Sequence, residues 1–420
     1  MRVLILGLDY LPESASIGPY TAALAAYLRQ QGHDARVVTS FPKMPQWRIW
    51  EGYRGEWFRR ETINAVPVRR TYIYVPREPR RAFNRILHDI SFSASALIGA
   101  LAGGPCEVVL AISPPLQLGL TGWLIASLMR APLFFHIQDL VPDAAIATGL
   151  LASKSLAIRV GRVLERFVYR RAAGIGVICS GFQSNLERKG VSPEKIRLLP
   201  NSIDLDFMRV HGRNNAFRRA HGLALDDFVL MYSGSIALKQ GLEVMIEAAA
   251  LLADVPRVKF VILGDGPQLD DLKARARSLE LRNVRFMPFQ PRERLPEQLG
   301  AADALMITQK KAVTDIVFPG KLLYYMAAAR PIVAAVSLDS ETGRFIESQQ
   351  VGVVVPPEDP AALAHTIRTL LARDVTAIGR RGREVVEAMF DERVVLPAFA
   401  AALERVYRPD ARLATSESQS

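Results

Sequence analysis

The sequence predicts an α/β protein of two Rossmann-like domains, each built on a parallel sheet. Three observations carry this expectation. Short buried-strand patterns alternate with helical ones along most of the chain. The rhythm breaks at Pro200-Asn201-Ser202-Ile203-Asp204 and restarts at Phe228. Glycine turns recur just past the ends of strands, which is where open parallel sheets bind ligands.

Arg2 to Gly7 reads as the first strand, and the loop after it carries Pro12, Glu13 and Ser14 before Ile17-Gly18-Pro19. Proline suits the first position of a helix, because its φ is already helical and its missing N–H is not needed there. Tyr20, Leu24, Tyr27 and Leu28 mark one face of that helix, Gly32-His33 closes it, and Ala35 to Thr39 is the next strand. Strand, helix, strand is the start of a parallel sheet. Gly18 either lets a phosphate approach the helix N-terminus or only opens the helix. The dinucleotide pattern G-x-G-x-x-G is absent, which argues against a nicotinamide enzyme.

Further strands read at 106–112, 132–137, 174–178 and 196–199, with helices over 155–171 and 182–189. In the second half, strands read at 228–232, 259–263, 284–286, 304–307, 332–335 and 352–355. Helices read at 242–252, 269–279, 321–329, 376–389 and 394–407. Residues 206–224 are polar and irregular, which places a linker near 200–225 and gives domains of 1–200 and 201–390. Residues 409–420 are polar and serine-rich, without periodicity, and read as disordered.

Half of the 420 residues are hydrophobic, as in a folded soluble protein of two or three domains. The N-terminus lacks the order of a signal peptide, and no run reaches the ~18 apolar residues of a membrane span. Two cysteines, Cys106 and Cys179, in apolar surroundings fit a reducing cytosol and no metal site. The charge is uneven. Residues 1–200 carry 25 basic and 14 acidic side chains, the whole net +11, while the remainder balances at 28 of each. Trp47, Trp50, Trp57 and Phe58 interleave there with Lys43, Arg48, Arg54, Arg59 and Arg60, and Arg69, Arg70, Arg77, Arg80, Arg81 and Arg85 follow. Aromatics among cations suit an anionic membrane interface, an acidic acceptor or single-stranded nucleic acid; the bland reading is an aromatic flap with a solvated rim. We favour the membrane interface, because the rest of the chain is charge-balanced and no nucleic-acid reading module is present.

The chemistry is expected around 317–333. Phe318-Pro319-Gly320 is a turn, and Lys321 opens a helix whose Leu322, Tyr325 and Met326 share one face. A glycine turn opening a helix presents free N–H groups and the positive end of the dipole to an anion. Lys321 is a cation where the dipole disfavours one, and a bound anion supplies a reason for it. Ser233-Gly234, Lys239-Gln240-Gly241 and Gly264-Asp265-Gly266 follow successive strands of the same domain. Adjacent parallel strands would put all of them on one rim with Gly320 and Lys321, as an anion site. In the first domain, His136 and Asp139 lie at the carboxyl end of a buried strand. Asp139 reads as functional, and His136 as a catalytic candidate or a hydrogen-bonded core residue.

From Arg2 to about Tyr407 the chain resembles the retaining glycosyltransferases of family four. Ile17-Gly18 resembles that family's N-terminal glycine motif. Residues 196–204, Ile-Arg-Leu-Leu-Pro-Asn-Ser-Ile-Asp, resemble its interdomain signature, with Ser202 where glycine is usual. Tyr232 to Gly241 resembles the diphosphate loop, and Gly264 to Pro267 the loop below the nucleotide. The run Ser-Gly-x-x-x-x-Lys-Gln-Gly and the loop Gln138-Asp139-Leu140-Val141-Pro142 are most similar to bacterial enzymes of colanic-acid, capsule and O-antigen assembly.

The resemblance implies the GT-B fold, two facing Rossmann-like domains with a cleft between them, and a last helix near 391–408 packed back on the first domain. It implies a nucleotide-diphosphate sugar as donor, UDP- before GDP-, bound by Gly18, Ser233, Gly234, Lys239, Gly264, Gly266, Phe318, Gly320, Lys321 and Tyr324. No cofactor or metal is implied. The acceptor would be a lipid-diphosphate-linked saccharide near His136 and Asp139. The enzyme would be cytoplasmic and peripheral on the anionic inner membrane. One departure is evident: Ile316 and Tyr324 stand where the family has two glutamates, one for the donor sugar and one for the ribose. Asp315, beside the first position, is the substitute carboxylate. The lost glutamates keep a non-catalytic partner of a polysaccharide-assembly complex in view. A nucleotide-sugar 2-epimerase ranks lower, because no histidine lies between His221 and His365.

Overall fold

The computed structural model of the protein describes residues 1–13, 17–44, 46–78, 81–147, 152, 155–311 and 319–408. Two compact units emerge, Met1–Asn201 with Val395–Ser420, and Ser202–Val394. The first holds eight strands: β1 (Arg2–Leu6), β2 (Asp34–Ser40), β3 (Phe58–Ile63), β4 (Val66–Thr71), β5 (Val108–Ser113), β6 (Leu133–Ile137), β7 (Gly174–Val177) and β8 (Ile196–Leu198). Their order is β3-β4-β2-β1-β5-β6-β7-β8. All described neighbours are parallel except β3 and β4. The central strands are buried on both faces, which is why they read as continuous apolar runs rather than alternating ones.

Helices Gly18–Gln30 and Glu392–Tyr407 pack on one face of this sheet, where Leu24, Leu28, Phe399 and Leu403 meet Val3, Ile5, Leu110 and Phe134. Helices Ala82–Leu101, Gln117–Met129 and Leu156–Arg171 lie side by side on the other face. Close approach is enforced by glycines: a Cβ on Gly122 would lie 2.9 Å from the Ala111 Cβ, and one on Gly119 2.6 Å from Val168.

The β3–β4 hairpin, which the sequence reading passed over, lies within the basic aromatic stretch. Asn64 and Ala65 both take positive φ, 51° and 62°, forming the two-residue turn whose twist matches a hairpin. Two of the stretch's cations are withdrawn from the surface. Arg70 is fully buried, with its guanidinium on Glu61 and on the Ser40 and Leu11 carbonyls. The Lys43 ammonium, also buried, donates to Asp9 at 2.7 Å. Arg80 lies outside the described residues.

The second unit is a six-stranded sheet of β9 (Phe228–Ser233), β10 (Val258–Leu263), β11 (Val284–Met287), β12 (Ala304–Thr308), β13 (Ile332–Ala335) and β14 (Gly352–Val355). The order is β11-β10-β9-β12-β13-β14, parallel throughout. The stretch expected to be an irregular linker instead belongs to this unit's core. It carries the helix Ala216–Ala220, with Met208, Phe217 and Leu223 buried.

That segment is anchored by charge. The buried Arg218 guanidinium donates to Asp303 at 2.5 Å and to the Ala301 and Asp227 carbonyls at 2.8 and 3.1 Å. Asp303 also accepts from Arg213 and, at 2.8 Å, from the Val229 N–H. Removing one partner leaves the other charge buried alone. Asp303→Ala should therefore cost about 3–5 kcal/mol in denaturant unfolding, and a loss below about 1 kcal/mol would contradict this anchoring role.

Candidate active site

β9 and β10 are neighbours, and each ends in a glycine turn. Gly234, after β9, has φ +150°, and its N–H donates to the Leu263 carbonyl at 2.9 Å. Gly264, after β10, has φ +151°, and a Cβ there would sit 1.9 Å from the Gly234 carbonyl oxygen. The same holds one step further out, where a Cβ on Gly266 would lie 2.3 Å from the Ile236 oxygen. Only glycine permits both the conformation and the approach. The two loops are also bonded to each other, Ile236 N–H to Asp265 at 2.9 Å and Gln268 N–H to Ile236 at 3.2 Å. The glycine turns after β9 and β10 thus form one continuous rim.

The helix Lys321–Ala327, with Gly320 as its N-cap residue, packs beside that rim. The Tyr325 phenol accepts from the Ser233 N–H at 3.0 Å and donates to the Ser233 carbonyl at 3.2 Å. The Gln298 amide donates to the Ser233 hydroxyl at 2.9 Å. Three side-chain bonds therefore fix the exit of β9. The Lys321 ammonium lies 3.8 Å from the centre of the Tyr232 ring, a cation–π contact, and 2.9 Å from the point where a Gly234 Cβ would stand. Burial pushes the Lys321 pKa down to about 7, and the nearby Lys239 cation adds to the push. Lys239 itself is exposed, in the turn Leu238–Gln240. Among the described residues, no carboxylate is paired with either lysine. Two lysines converge on a glycine rim with no paired carboxylate among the described residues, an arrangement suited to a bound anion.

Ser233, Gly234, Gly264, Gly266, Gly320 and Lys321 are thus brought together, with Lys239 at the edge. Tyr324 is half-buried and packs against the core cluster that includes Leu322 and Met326. Asp315, Ile316 and Phe318 lie outside the described residues. Sequence reasoning missed Tyr325 and Gln298 as parts of the site, and it included Tyr232 in the loop without the contact of its ring with Lys321. The helical spacing placed Tyr325 on the buried face, but nothing local shows that its hydroxyl reaches a strand 92 positions away.

The other expected residues belong to the first unit. Gly18 opens its helix, and a Cβ there would come within 3.2 Å of the Tyr10 N–H and the Glu13 carbonyl. The loop before it is held by Glu13, whose carboxylate accepts from the Lys43 and Met44 N–H groups at 2.7 Å each. His136 sits in β6, 2% exposed, with its edge on Phe399 at 5.0 Å. Its Nε2 is 3.0 Å from the Gln138 amide, which also donates to Asn201 at 2.7 Å. Burial pushes the His136 pKa down to about 3, so the ring is neutral and accepts from Gln138. Asp139 follows Gln138, half-buried just past the end of β6.

Residues 16–202 match the family described as glycosyl transferase 4-like domain, and residues 213–384 match glycosyl transferases group 1. The chain is 32% identical over 409 residues to the putative colanic acid biosynthesis glycosyl transferase WcaI of Escherichia coli, covering 95% of this chain and 98% of that one. It is 25% identical over 326 residues to the probable glycosyltransferase WbjE of Pseudomonas aeruginosa, covering 76% and 79%. Among solved structures, Anabaena HepE in complex with UDP superposes with a TM-score of 0.72 at 18% identity, over 96% of this chain and 100% of that one. With two parallel-sheet units and this glycine rim, these likenesses show that the chain belongs to the retaining glycosyltransferases of family four, enzymes of the GT-B fold.

Proposed function

We propose that the protein transfers a sugar from a UDP-sugar to a lipid-diphosphate-linked or growing saccharide in bacterial exopolysaccharide, capsule or O-antigen assembly. The observation that carries this reading is the pair Lys239 and Lys321 beside Gly234 and Gly264, without a paired carboxylate among the described residues. Support also comes from relatives. WcaI is named for colanic acid biosynthesis, and HepE has been solved with UDP and with UDP-glucose.

In this reading the bond between the anomeric carbon and the β-phosphate oxygen breaks, leaving an oxocarbenium-like sugar and a diphosphate. The acceptor hydroxyl attacks on the face the diphosphate leaves, and its proton passes to the departing phosphate oxygen. The protein's main task is to stabilise charge growing on that diphosphate. Rim N–H groups and two ammoniums do so without reorganising. Desolvation lowers the Lys321 pKa to about 7, so the free lysine is only partly charged near neutral pH, and a bound anion favours its charged form.

Tyr324 replaces the ribose carboxylate with a neutral phenol, and Asp315 supplies the carboxylate near the donor sugar. Asp139 lies on the acceptor side, with His136 holding Gln138 beside it. The acceptor's lipid places the enzyme on the cytoplasmic face of the membrane as a peripheral protein. No described helix is long and apolar enough to cross it.

Lys239→Ala and Lys321→Ala should each weaken UDP binding by about 1.5–3 kcal/mol, measured by calorimetry; unchanged affinity in both would remove the diphosphate from this rim. Asp315→Asn should lower turnover by about two orders of magnitude with donor affinity kept, while Tyr324→Phe should weaken donor binding modestly with turnover kept. Parental turnover in Asp315→Asn would contradict the assignment of that carboxylate.

A further inference from the structure

The three helices on one face of the first sheet leave apolar side chains in solvent. On Ala82–Leu101 these are Phe83, Leu87, Ile90, Ile98 and Leu101, all 39–69% exposed. The spacing of 4, 3, 8 and 3 residues keeps them on a single stripe, opposite the buried Phe92, Ala96 and Ala100. No charged residue occurs from Ile90 to Leu101. The adjoining helix Gln117–Met129 adds Leu124 and Leu128. Leu156–Arg171 adds Leu156, Val160 and Val163, 58–74% exposed, again at helical spacing.

These helices form one surface. Thr121 donates to the Ser93 carbonyl at 3.3 Å, joining the first to the second. Trp123 meets Phe167 edge-on at 4.8 Å, and the Arg171 guanidinium lies 5.7 Å from both rings, joining the second to the third.

The exposed charge on the third helix has one sign. Arg159, Arg162, Arg166 and Arg170 run beside the Leu156–Val163 stripe at spacings of three and four, all exposed. The only acid of that helix, Glu165, is buried and bonded to Tyr169 and Lys189. Exposed apolar stripes flanked by arginines that have no ion-pair partner among the described residues, on helices lying flat against a sheet, are the chemistry of an anionic bilayer interface.

We propose that this three-helix face docks the protein on an anionic lipid bilayer, with Leu156, Val160 and Val163 entering the headgroup boundary and the arginine row contacting lipid phosphates. The proposal rests on the reading above, in which the acceptor is carried by a lipid. It places the contact on the helices rather than on the basic stretch 41–85, where Lys43 and Arg70 are buried and Arg59 and Arg81 are paired with Glu56 and Glu78.

The test is co-sedimentation of the full chain with vesicles of phosphatidylcholine alone and mixed with phosphatidylglycerol, with UDP affinity measured in parallel. The parent should bind the mixed vesicles and be released by salt. The triple variant Leu156→Glu, Val160→Glu, Val163→Glu should lose at least about tenfold in vesicle affinity while keeping parental UDP affinity, since all three side chains already face solvent. Arg159, Arg162, Arg166 and Arg170 changed together to Gln should abolish the preference for phosphatidylglycerol. Parental vesicle binding in the triple variant would overturn the proposal. So would loss of binding only when Arg77, Arg81 and Arg85 are replaced, or a parental dimer that the triple variant converts to monomers. A parent that binds vesicles but not UDP would leave this face standing and refute the donor reading instead.

Discussion

The backbone contact between Gly234 and Gly264 is the constraint on which the site depends. Two adjacent parallel strands end at the same level, and their exit loops touch through a carbonyl oxygen that leaves no room for a side chain. The loops can then bond to each other, and the Lys321 ammonium can lie over Tyr232 where a Gly234 side chain would otherwise stand. A larger residue at 264 would separate the loops and move every rim N–H. The fold therefore supplies the site by strand adjacency, and two glycines make that adjacency usable.

The second consequence is electrostatic. A lysine at the first turn of a helix, near a second lysine, is held against its preferred state; burial and repulsion both disfavour its charge. Such an arrangement costs stability and is resolved by an anion. The first unit shows the opposite treatment of a buried cation. Lys43 is matched by Asp9 at 2.7 Å and lies 4.0 Å from Glu13, and its role is to fix the loop that leads to Gly18. The chain neutralises the lysine that serves structure and leaves unmatched, among the described residues, the one assigned to ligand.

Much of this was legible in the sequence, for local reasons. Parallel strands buried on both faces give apolar runs, and glycine turns after Tyr232 and Leu263 mark strand exits; both are short-range patterns. What was not legible depends on tertiary contact. The β3–β4 hairpin was hidden because its strands carry the adjacent arginine pairs Arg59-Arg60 and Arg69-Arg70 and the strand-breaking Pro67, and Asn64-Ala65 is a weaker turn signal than Asn-Gly. Residues 206–224 read as linker because they are polar and Arg218 looks solvated, whereas Asp303, far along the chain, draws Arg218 into the core. Tyr325 and Gln298 joined the site only once the sheet order brought Ser233 to them. The helix Ala82–Leu101 was not read as a helix, since its apolar run from Ile90 was weighed only as a membrane span too short to cross.

The central claim is that the lowered pKa of Lys321 is raised by the incoming diphosphate, so that the lysine gains a proton on binding. Calorimetric titration with UDP near pH 8, in two buffers of different ionisation enthalpy, reads the protons exchanged on binding. UDP is fully ionised there and takes up none itself. The account predicts net proton uptake on UDP binding in the parent, lost in Lys321→Met. No uptake by the parent, or the same uptake in Lys321→Met, would contradict it.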